Sequence, residues 1–308
     1  MTARIRGTLR KGRYWQDDHP PVTTGGFMKI ALLGVGRMGH ELGVHLLAAG
    51  HQLTAWNRTA GAVERLRDAG AAQADSPEDA VRDADVVLTV LFGPDTVREV
   101  VLSGLELPAE AVWFDVTTVS PDDAREFAEY AAAAGVRYVH GPVIGSLAPA
   151  RAGQLGVLLG GAPEDVDVVE PLAALWGDSE RLRRVATPSD AATGKLLANL
   201  ALGITLQGLI EALRLGKANG LDAEAVLDLL QGTGLGAIAG MKGPVITGGT
   251  FGDTQFSADL LAKDVRLMLR STPDPLPALT AALQSLTEAQ RAGAGDDDIA
   301  VIAKPELT

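Results

Sequence analysis

The chain contains a glycine pattern between a short apolar run and a segment whose apolar residues have helical spacing. Residues 29–33 (KIALL) are a short apolar run of the kind that forms a buried strand, and the glycine pattern Gly34–Gly39 (GVGRMG) follows at once. Residues 37–49 then carry apolar side chains at helical spacing, and Gly50 is a typical residue at a helix C-terminus. A strand, a GxGxxG turn and a helix in this order are typical of a dinucleotide-binding βαβ unit.

Each glycine of the pattern has a separate physical role. Gly34 permits the tight turn, Gly36 lets a pyrophosphate approach the backbone, and Gly39 lets the helix pack against the strand. With 36 glycines in 308 residues the pattern alone would carry little weight. Its position between a strand and a helix makes it specific, because the helix N-terminus is where the anion binds.

The end of the next strand indicates which dinucleotide is bound. This strand is predicted at residues 52–56, and the residues after it are expected to contact the adenosine ribose. NAD sites place a carboxylate there, whereas this chain has Asn57, Arg58 and Thr59. Arg58 can pair with a 2′-phosphate that a carboxylate would repel. The sequence therefore favours NADPH over NADH.

The alternation of elements predicts the fold class. Strands alternate with helices to about residue 187, which indicates βαβ units, and only helical patterns follow. We predict an α/β fold: an N-terminal Rossmann-type doubly wound parallel sheet, then an all-helical C-terminal domain joined by a long helix over residues 189–219, N-capped by Ser189. The domains are predicted as an irregular leader (1–27), an NADP-binding domain (28–188) and a helical substrate and oligomerisation domain (189–308).

Composition excludes several classes of function. The chain has no cysteine, which excludes disulfides and thiolate chemistry, and the basic leader is followed by no apolar run of the secretory kind. We therefore expect a cytoplasmic protein. A net charge of −12 is unfavourable for nucleic-acid binding, and no uninterrupted apolar stretch approaches the length of a membrane span. The sequence also shows no His–carboxylate cluster of the kind that binds a metal.

Two polar residues on the long helix are candidates for the chemistry. Lys195 and Asn199 lie four apart and share a helix face with apolar neighbours. A lysine in such surroundings is partly desolvated, which lowers its pKa toward the range useful for proton transfer. By itself this pattern also fits a lysine that extends to solvent, so further landmarks are needed.

Taken together, the motifs resemble those of the β-hydroxyacid dehydrogenase family, which includes 3-hydroxyisobutyrate dehydrogenases and semialdehyde reductases. The resemblance runs from about residue 28 to 303. Residues 56–59, 145–146 and 149–155 look most like the glyoxylate/succinic semialdehyde reductase branch. The landmarks, in the family's order, are the Gly34–Gly39 loop, residues 115–118 (DVTT) with Pro121, residues 141–146 (GPVIGS) with Gly153, Gly194-Lys195 with Asn199, Phe256, and Lys263-Asp264.

The resemblance implies an NADPH-dependent oxidoreductase that interconverts a small carboxylate-bearing aldehyde and its hydroxy acid. It implies a cleft between two domains and a homodimer or homotetramer. Lys195 would be the general acid/base and Asn199 its partner. The candidate cofactor-binding residues are Gly34, Gly36, Arg37, Met38, Gly39, Asn57, Arg58, Thr59, Leu91, Phe92, Thr118, Phe256 and Lys263. The candidate substrate-binding residues are Thr117, Ile144, Gly145, Ser146, Lys195 and Asn199.

Three residues depart from the family pattern. Ile144 stands where a serine usually helps to bind the substrate carboxylate, so the anion would depend on Ser146, Lys195 and backbone amides near Gly145. Thr117 replaces a common serine and keeps the hydroxyl. His140 occupies a position that is often acidic, and it is either a buried structural residue or a group that faces the substrate.

Three alternatives remain open from the sequence. An imine reductase shares the fold and the cofactor, but such enzymes generally have Asp or Tyr in place of Lys195. A non-catalytic dinucleotide-binding module would have lost the lysine. An NAD-dependent 3-hydroxyisobutyrate dehydrogenase is disfavoured by Arg58.

Overall fold

A sheet of nine strands forms the N-terminal half of a computed structural model that describes residues 26–307. Residues 1–25 of the expected leader lie outside this range. The strands are β1 (Lys29–Leu33), β2 (Gln52–Trp56), β3 (Ala72–Gln73), β4 (Val86–Thr89), β5 (Val112–Asp115), β6 (Arg137–His140), β7 (Val143–Ile144), β8 (Leu155–Gly161) and β9 (Gly177–Val185).

The strand order confirms the predicted Rossmann topology. The order is β3-β2-β1-β4-β5-β6-β8-β7, and β9 pairs with β8. All pairs among β1 to β6 are parallel, whereas β8 runs antiparallel to β6 and β7. The chain moves outward from β1 to β3 and then returns to the other side of β1 at β4. This reversal leaves a crevice at the carboxyl ends of β1 and β4, where doubly wound sheets bind their ligands.

Helices cover the sheet and form the C-terminal half. They are α1 (Arg37–Ala48), α2 (Glu64–Asp68), α3 (Pro77–Val81), α4 (Pro94–Val97), α5 (Pro121–Ala133), α6 (Leu147–Arg151), α7 (Pro163–Ala173), α8 (Pro188–Ala218), α9 (Ala223–Leu229), α10 (Gly236–Gly248), α11 (Ala258–Arg270) and α12 (Pro277–Arg291). Shorter turns are 3₁₀-helical at Ala60–Val63 and Ile299–Glu306 and π-helical at Arg98–Leu102. Within residues 189–307 the structure has no strand, as the sequence predicts.

The N-cap of the long helix α8 lies two residues earlier than expected. Its N-cap is Thr187, which accepts a hydrogen bond from the Asp190 amide, while the Asp190 carboxylate accepts one from the Thr187 amide. The prediction that Ser189 is the N-cap was therefore wrong. The Ser189 hydroxyl instead donates to the Pro121 carbonyl oxygen at 2.8 Å. A capping box satisfies two free amides at once, which makes Thr187 the better start.

Helix α8 forms part of the core of the helical half. Its buried side includes Leu206, Leu209, Ile210 and Leu213, in one apolar cluster with side chains of α11 and α12. By length and a mean hydropathy of 1.6 it is the one helix in the described range that could cross a membrane, but 44% of that window is buried within the protein. Such burial is typical of a core helix.

Candidate active site

A cleft of about 680 Å³ lies between the carboxyl edge of the sheet and helices α8 and α11. Every candidate cofactor-binding residue lines it, and so do Thr117, Gly145, Ser146 and Lys195. Ile144 and Asn199 are not in the lining. The structure thus brings together motifs that are more than 200 residues apart in the chain.

The glycine turn leaves room for a ligand only on the cleft side. Gly34 has φ +103°, and a Cβ there would lie 2.3 Å from the Val90 carbonyl oxygen. A Cβ on Gly39 would lie 2.1 Å from the Gly34 carbonyl oxygen, whereas one on Gly36 would meet no atom within 4 Å. The backbone at Gly36 is therefore open to the cleft, at the N-terminus of α1. These residues fit a dinucleotide pyrophosphate.

Asn57 ties the glycine turn to the loop after β2. Its Oδ1 accepts a hydrogen bond from the Val35 amide at 3.0 Å, and its Nδ2 donates to the Thr59 carbonyl oxygen at 3.0 Å. The next residue, Arg58, is free to move, because its side chain is 76% exposed. Its nearest acidic group is Glu99, whose Oε2 lies 3.7 Å from Arg58 Nη1.

The buried carboxylate of Asp115 holds in place the loops after β4 and β5, which line the cleft. The Leu91 amide donates to Thr117 Oγ1 at 3.0 Å, and the Thr117 amide donates to Asp115 Oδ1 at 3.0 Å. Asp115 is fully buried and also accepts from the hydroxyls of Thr89 and Tyr138. Burial, together with the Asp115 carboxylate, raises the pKa of Tyr138 well above its usual range, so the phenol stays a donor.

His140 lies beside this buried network, makes no side-chain hydrogen bond to the described residues, and does not line the cleft. It is 0% exposed, and its Nδ1 lies 3.5 Å from Asp115 Oδ2. Of the two possibilities that the sequence leaves open, the position of His140 favours a buried residue over one that faces the substrate.

The polar end of the cleft is built on α8 and α11. Lys195 Nζ donates to Asn199 Oδ1 at 3.2 Å, and Asn199 Nδ2 donates to Asp264 Oδ2 at 2.6 Å. Because Asp264 can only accept, it fixes the orientation of the Asn199 amide with its oxygen toward Lys195. Asn199 thus acts behind the lining, as the residue that holds the ammonium in place.

Burial lowers the pKa of Lys195 to about 8. The Asp264 carboxylate opposes this shift, and the positive charge of Lys263 adds to it. The Lys195 residue is 7% exposed, and it lines the cleft. An amine with this pKa exchanges a proton readily near neutral pH, as a general acid/base must.

Lys263 connects the two halves of the protein. Its Nζ donates to the Thr118 carbonyl oxygen at 3.1 Å, lies 2.7 Å from Asp264 Oδ1, and sits 5.8 Å from the centre of the Phe92 ring. The lysine therefore spans the cleft from α11 to the loops after β4 and β5. This agrees with the predicted placement of Lys263, Phe92 and Thr118 in one site.

Only some residues of the predicted substrate-binding segment line the cleft. Val143 lines the cleft, and the side chain of the next residue in β7, Ile144, points to the opposite face because strand side chains alternate. Ile144 pairs with Gly156 of β8. A direct contact between Ile144 and the substrate stays a prediction, and the lining offers Ser146 and the backbone at Gly145 instead.

Several acidic residues of the site were missed by sequence reasoning. Asp296 forms a two-pronged ion pair with Arg37 across the cleft, at 3.0 and 2.8 Å. Asp298 is fully buried and accepts from Lys242 Nζ at 2.8 and 3.0 Å and from the amides of Gln255, Phe256 and Ala300. The run Asp296–Asp298 looks like a solvated acidic turn in the sequence. No local pattern shows that two of its members meet cations.

Two family models match the chain over almost all of its described length. The NAD binding domain of 6-phosphogluconate dehydrogenase matches residues 29–185, and the NAD-binding domain of NADP-dependent 3-hydroxyisobutyrate dehydrogenase matches residues 190–305. The chain belongs to the β-hydroxyacid dehydrogenase family. As a β-hydroxyacid dehydrogenase it is an NAD(P)-dependent oxidoreductase.

The chain is similar to a curated relative in sequence and to solved structures in fold. Glyoxylate/succinic semialdehyde reductase 1 of Arabidopsis thaliana is 28% identical over 89% of this chain and 97% of its own length. A 3-hydroxyisobutyrate dehydrogenase of Mycobacterium tuberculosis, solved with L-serine, superposes with a TM-score of 0.79 at 24% identity, over 92% of this chain and 100% of that one. A reductive aminase from Aspergillus terreus shares the fold less closely, with a TM-score of 0.61 at 22% identity over 91% and 99% of the chains.

Proposed function

We propose that this β-hydroxyacid dehydrogenase uses NADPH to reduce a small aldehyde acid to its hydroxy acid, with Lys195 as the general acid. The observation that carries the proposal is the buried Lys195 at the cleft surface, with its pKa lowered to about 8 and its ammonium held by Asn199. A bound reduced nicotinamide supplies the hydride for such a reaction. The protein must supply a proton and bind the substrate's charge.

The residues divide these tasks. As the carbonyl carbon receives the hydride, the C=O π electrons move to oxygen, and Lys195 donates a proton to that oxygen. Asn199 and Asp264 keep Lys195 Nζ in place during the step. The Ser146 hydroxyl and the backbone at Gly145 are available for the carboxylate. The two ammonium groups of Lys195 and Lys263 outnumber the single carboxylate of Asp264 beside them, which makes this part of the cleft favourable to an anion. In the reverse direction neutral Lys195 accepts the proton from the alcohol.

A substrate panel tests this reaction class. NADPH oxidation is measured with succinic semialdehyde, with glyoxylate and with a cyclic imine. Turnover with either aldehyde acid supports the proposal. Turnover with the imine alone would move the enzyme to the imine-reducing class that shares its fold.

Cofactor preference depends on Arg58. Replacing Arg58 with alanine is expected to weaken NADPH binding by about 1–3 kcal/mol, because a charge-assisted pair with the 2′-phosphate is lost. NADH, which has a hydroxyl there, should bind almost unchanged. Fluorescence titration of both cofactors measures the two dissociation constants. Arg65, an exposed arginine on α2 outside the lining, provides the matched control Arg65→Ala. Equal weakening of both cofactors would show that Arg58 does not bind the phosphate.

The two reaction directions are expected to depend on pH in opposite ways. Reduction needs protonated Lys195, so kcat/KM for the aldehyde should fall as pH rises through about 8. Oxidation of the hydroxy acid needs the neutral amine, so its kcat/KM should rise through the same range. Initial rates from about pH 6 to about pH 10 give both profiles. Profiles that change in the same direction would contradict a single acid/base group.

A further inference from the structure

An acidic residue lies beside the arginine that is proposed to bind the 2′-phosphate. Glu99 belongs to the π-helical turn Arg98–Leu102, and its Oε2 lies 3.7 Å from Arg58 Nη1. Both residues line the cleft, and their side chains are 65% and 76% exposed. Within the described part of the chain the Glu99 carboxylate contacts Arg58 and makes no side-chain hydrogen bond. It is therefore positioned by no partner other than the arginine.

The charge at this end of the cleft does not favour a phosphate strongly. Arg58 and Glu99 both line the cleft and form an ion pair, so the charges of this pair sum to 1 − 1 = 0. A phosphate monoester carries about −1.5 to −2 charge at neutral pH, whereas the ribose hydroxyl of NAD is neutral. A carboxylate at this position would therefore repel the 2′-phosphate of NADPH, a group that NADH lacks. A carboxylate can also accept a hydrogen bond from a ribose hydroxyl, as in NAD-specific sites.

We propose that Glu99 is a specificity-determining residue that limits the preference of this enzyme for NADPH over NADH. The inference rests on the proposed function, in which Arg58 binds the 2′-phosphate. Glu99 competes with that phosphate for the guanidinium and repels it directly. The enzyme then uses NADPH with a moderate preference and retains activity with NADH.

The test replaces Glu99 with glutamine, which keeps the shape and removes the charge. The Kd of NADPH should fall about fivefold, the effect of one exposed unit charge at contact distance. The Kd of NADH should change less than about twofold, because glutamine still accepts a hydrogen bond from the ribose hydroxyl. The gain for NADPH should shrink as salt is raised to about 0.5 M, since exposed charges are screened.

A matched control separates a local effect from the change in net charge. Asp95 lies on the preceding helix α4, outside the cleft lining, and its side chain is 97% exposed. Asp95→Asn removes the same charge and should leave both dissociation constants unchanged. An unchanged Kd for NADPH in Glu99→Gln, equal tightening of both cofactors, or the same gain in Asp95→Asn would overturn the inference.

The Arg58→Ala variant distinguishes this inference from the proposed function. If Arg58→Ala weakens NADPH selectively while Glu99→Gln has no effect, the role of Glu99 is wrong and the phosphate site stands. If Arg58→Ala affects both cofactors equally, the phosphate site itself is wrong. Selective effects of opposite sign in the two variants support both.

Discussion

Replacing Lys195 with alanine is expected to lower kcat for aldehyde reduction by roughly 10²–10⁴-fold, the range that a positioned general acid contributes. The reason is that no other ammonium in the cleft can take over. Lys263 is held by the Thr118 carbonyl oxygen and Asp264, on the side of the cleft that faces Phe92. NADPH binding should be nearly unchanged, because the glycine turn and Arg58, which are proposed to bind the cofactor phosphates, follow strands β1 and β2, whereas Lys195 lies on α8.

Two variants make this result specific. Lys195→Met keeps much of the side-chain volume and should lose as much activity as Lys195→Ala, which shows that the charge and not the packing matters. Lys217→Ala changes an exposed lysine on the same helix and should keep wild-type kcat. The measurements are single-turnover NADPH oxidation and fluorescence titration of NADPH. Turnover in Lys195→Met close to that of the wild type would place the acid elsewhere.

Breaking the buried ion pair between Lys242 and Asp298 is expected to cost about 3–5 kcal/mol of unfolding free energy. Lys242 is 5% exposed and Asp298 is fully buried. Removal of either partner leaves a charge without compensation in a low-dielectric site. The two variants should differ in severity. Asp298→Ala also removes the acceptor for the amides of Gln255, Phe256 and Ala300, whereas Lys242→Met leaves those three hydrogen bonds in place.

Urea denaturation at neutral pH measures both losses. We expect Asp298→Ala to be the less stable variant and Lys242→Met to lie between it and the wild type. Arg214→Ala is the control, because Arg214, whose side chain is 59% exposed, pairs with Glu306 at the surface of the same half of the protein, and ion pairs that reach the solvent contribute about 0–1 kcal/mol. If Lys242→Met lost no more unfolding free energy than Arg214→Ala, the buried Lys242–Asp298 ion pair would not stabilise the protein as expected.

The ion pair also links stability to the site. Gln255 and Phe256 line the cleft, and their amides bind Asp298. The same segment leads into α11, which carries Lys263 and Asp264. Loss of the Asp298 carboxylate is therefore expected to destabilise both the helical core and the segment 255–256 that lines the cleft.

Local sequence patterns predicted the elements that form the N-terminal part of the cleft. The β1–turn–α1 unit and the loop after β2 are each determined by residues a few positions apart. Their physical causes are turn geometry and a buried apolar strand, and both of these can be seen in a short window of sequence. The pairing of Lys195 with Asn199 is of the same kind, since both lie on one helix.

Long-range contacts could not be predicted in this way. Asn199 meets Asp264 across 65 residues, Lys242 meets Asp298 across 56, and Arg37 meets Asp296 across 259. Their charges look solvated in the sequence, because only the tertiary fold brings the partners together.

Some elements were missed because tertiary contacts override local propensity. Strand β9 (GDSERLRRV) is rich in charge and is stabilised by pairing with β8. Helix α10 contains four glycines and Pro244, which disfavour a helix in isolation. Its buried side, with Ile238, Lys242 and Ile246, packs into the helical core. Propensity is a weak predictor at such positions.

The most direct test of the proposed reduction follows the transferred hydride itself. The wild-type enzyme is given NADPH deuterated at both C4 positions together with succinic semialdehyde or, in a parallel reaction, with glyoxylate, and the products of both reactions are examined by mass spectrometry. Hydride transfer to the carbonyl carbon predicts a hydroxy acid with one deuterium on the carbon that bears the hydroxyl group. Absence of deuterated hydroxy acid, although the cofactor binds, would contradict the proposed reduction and leave only the NAD(P) site in place.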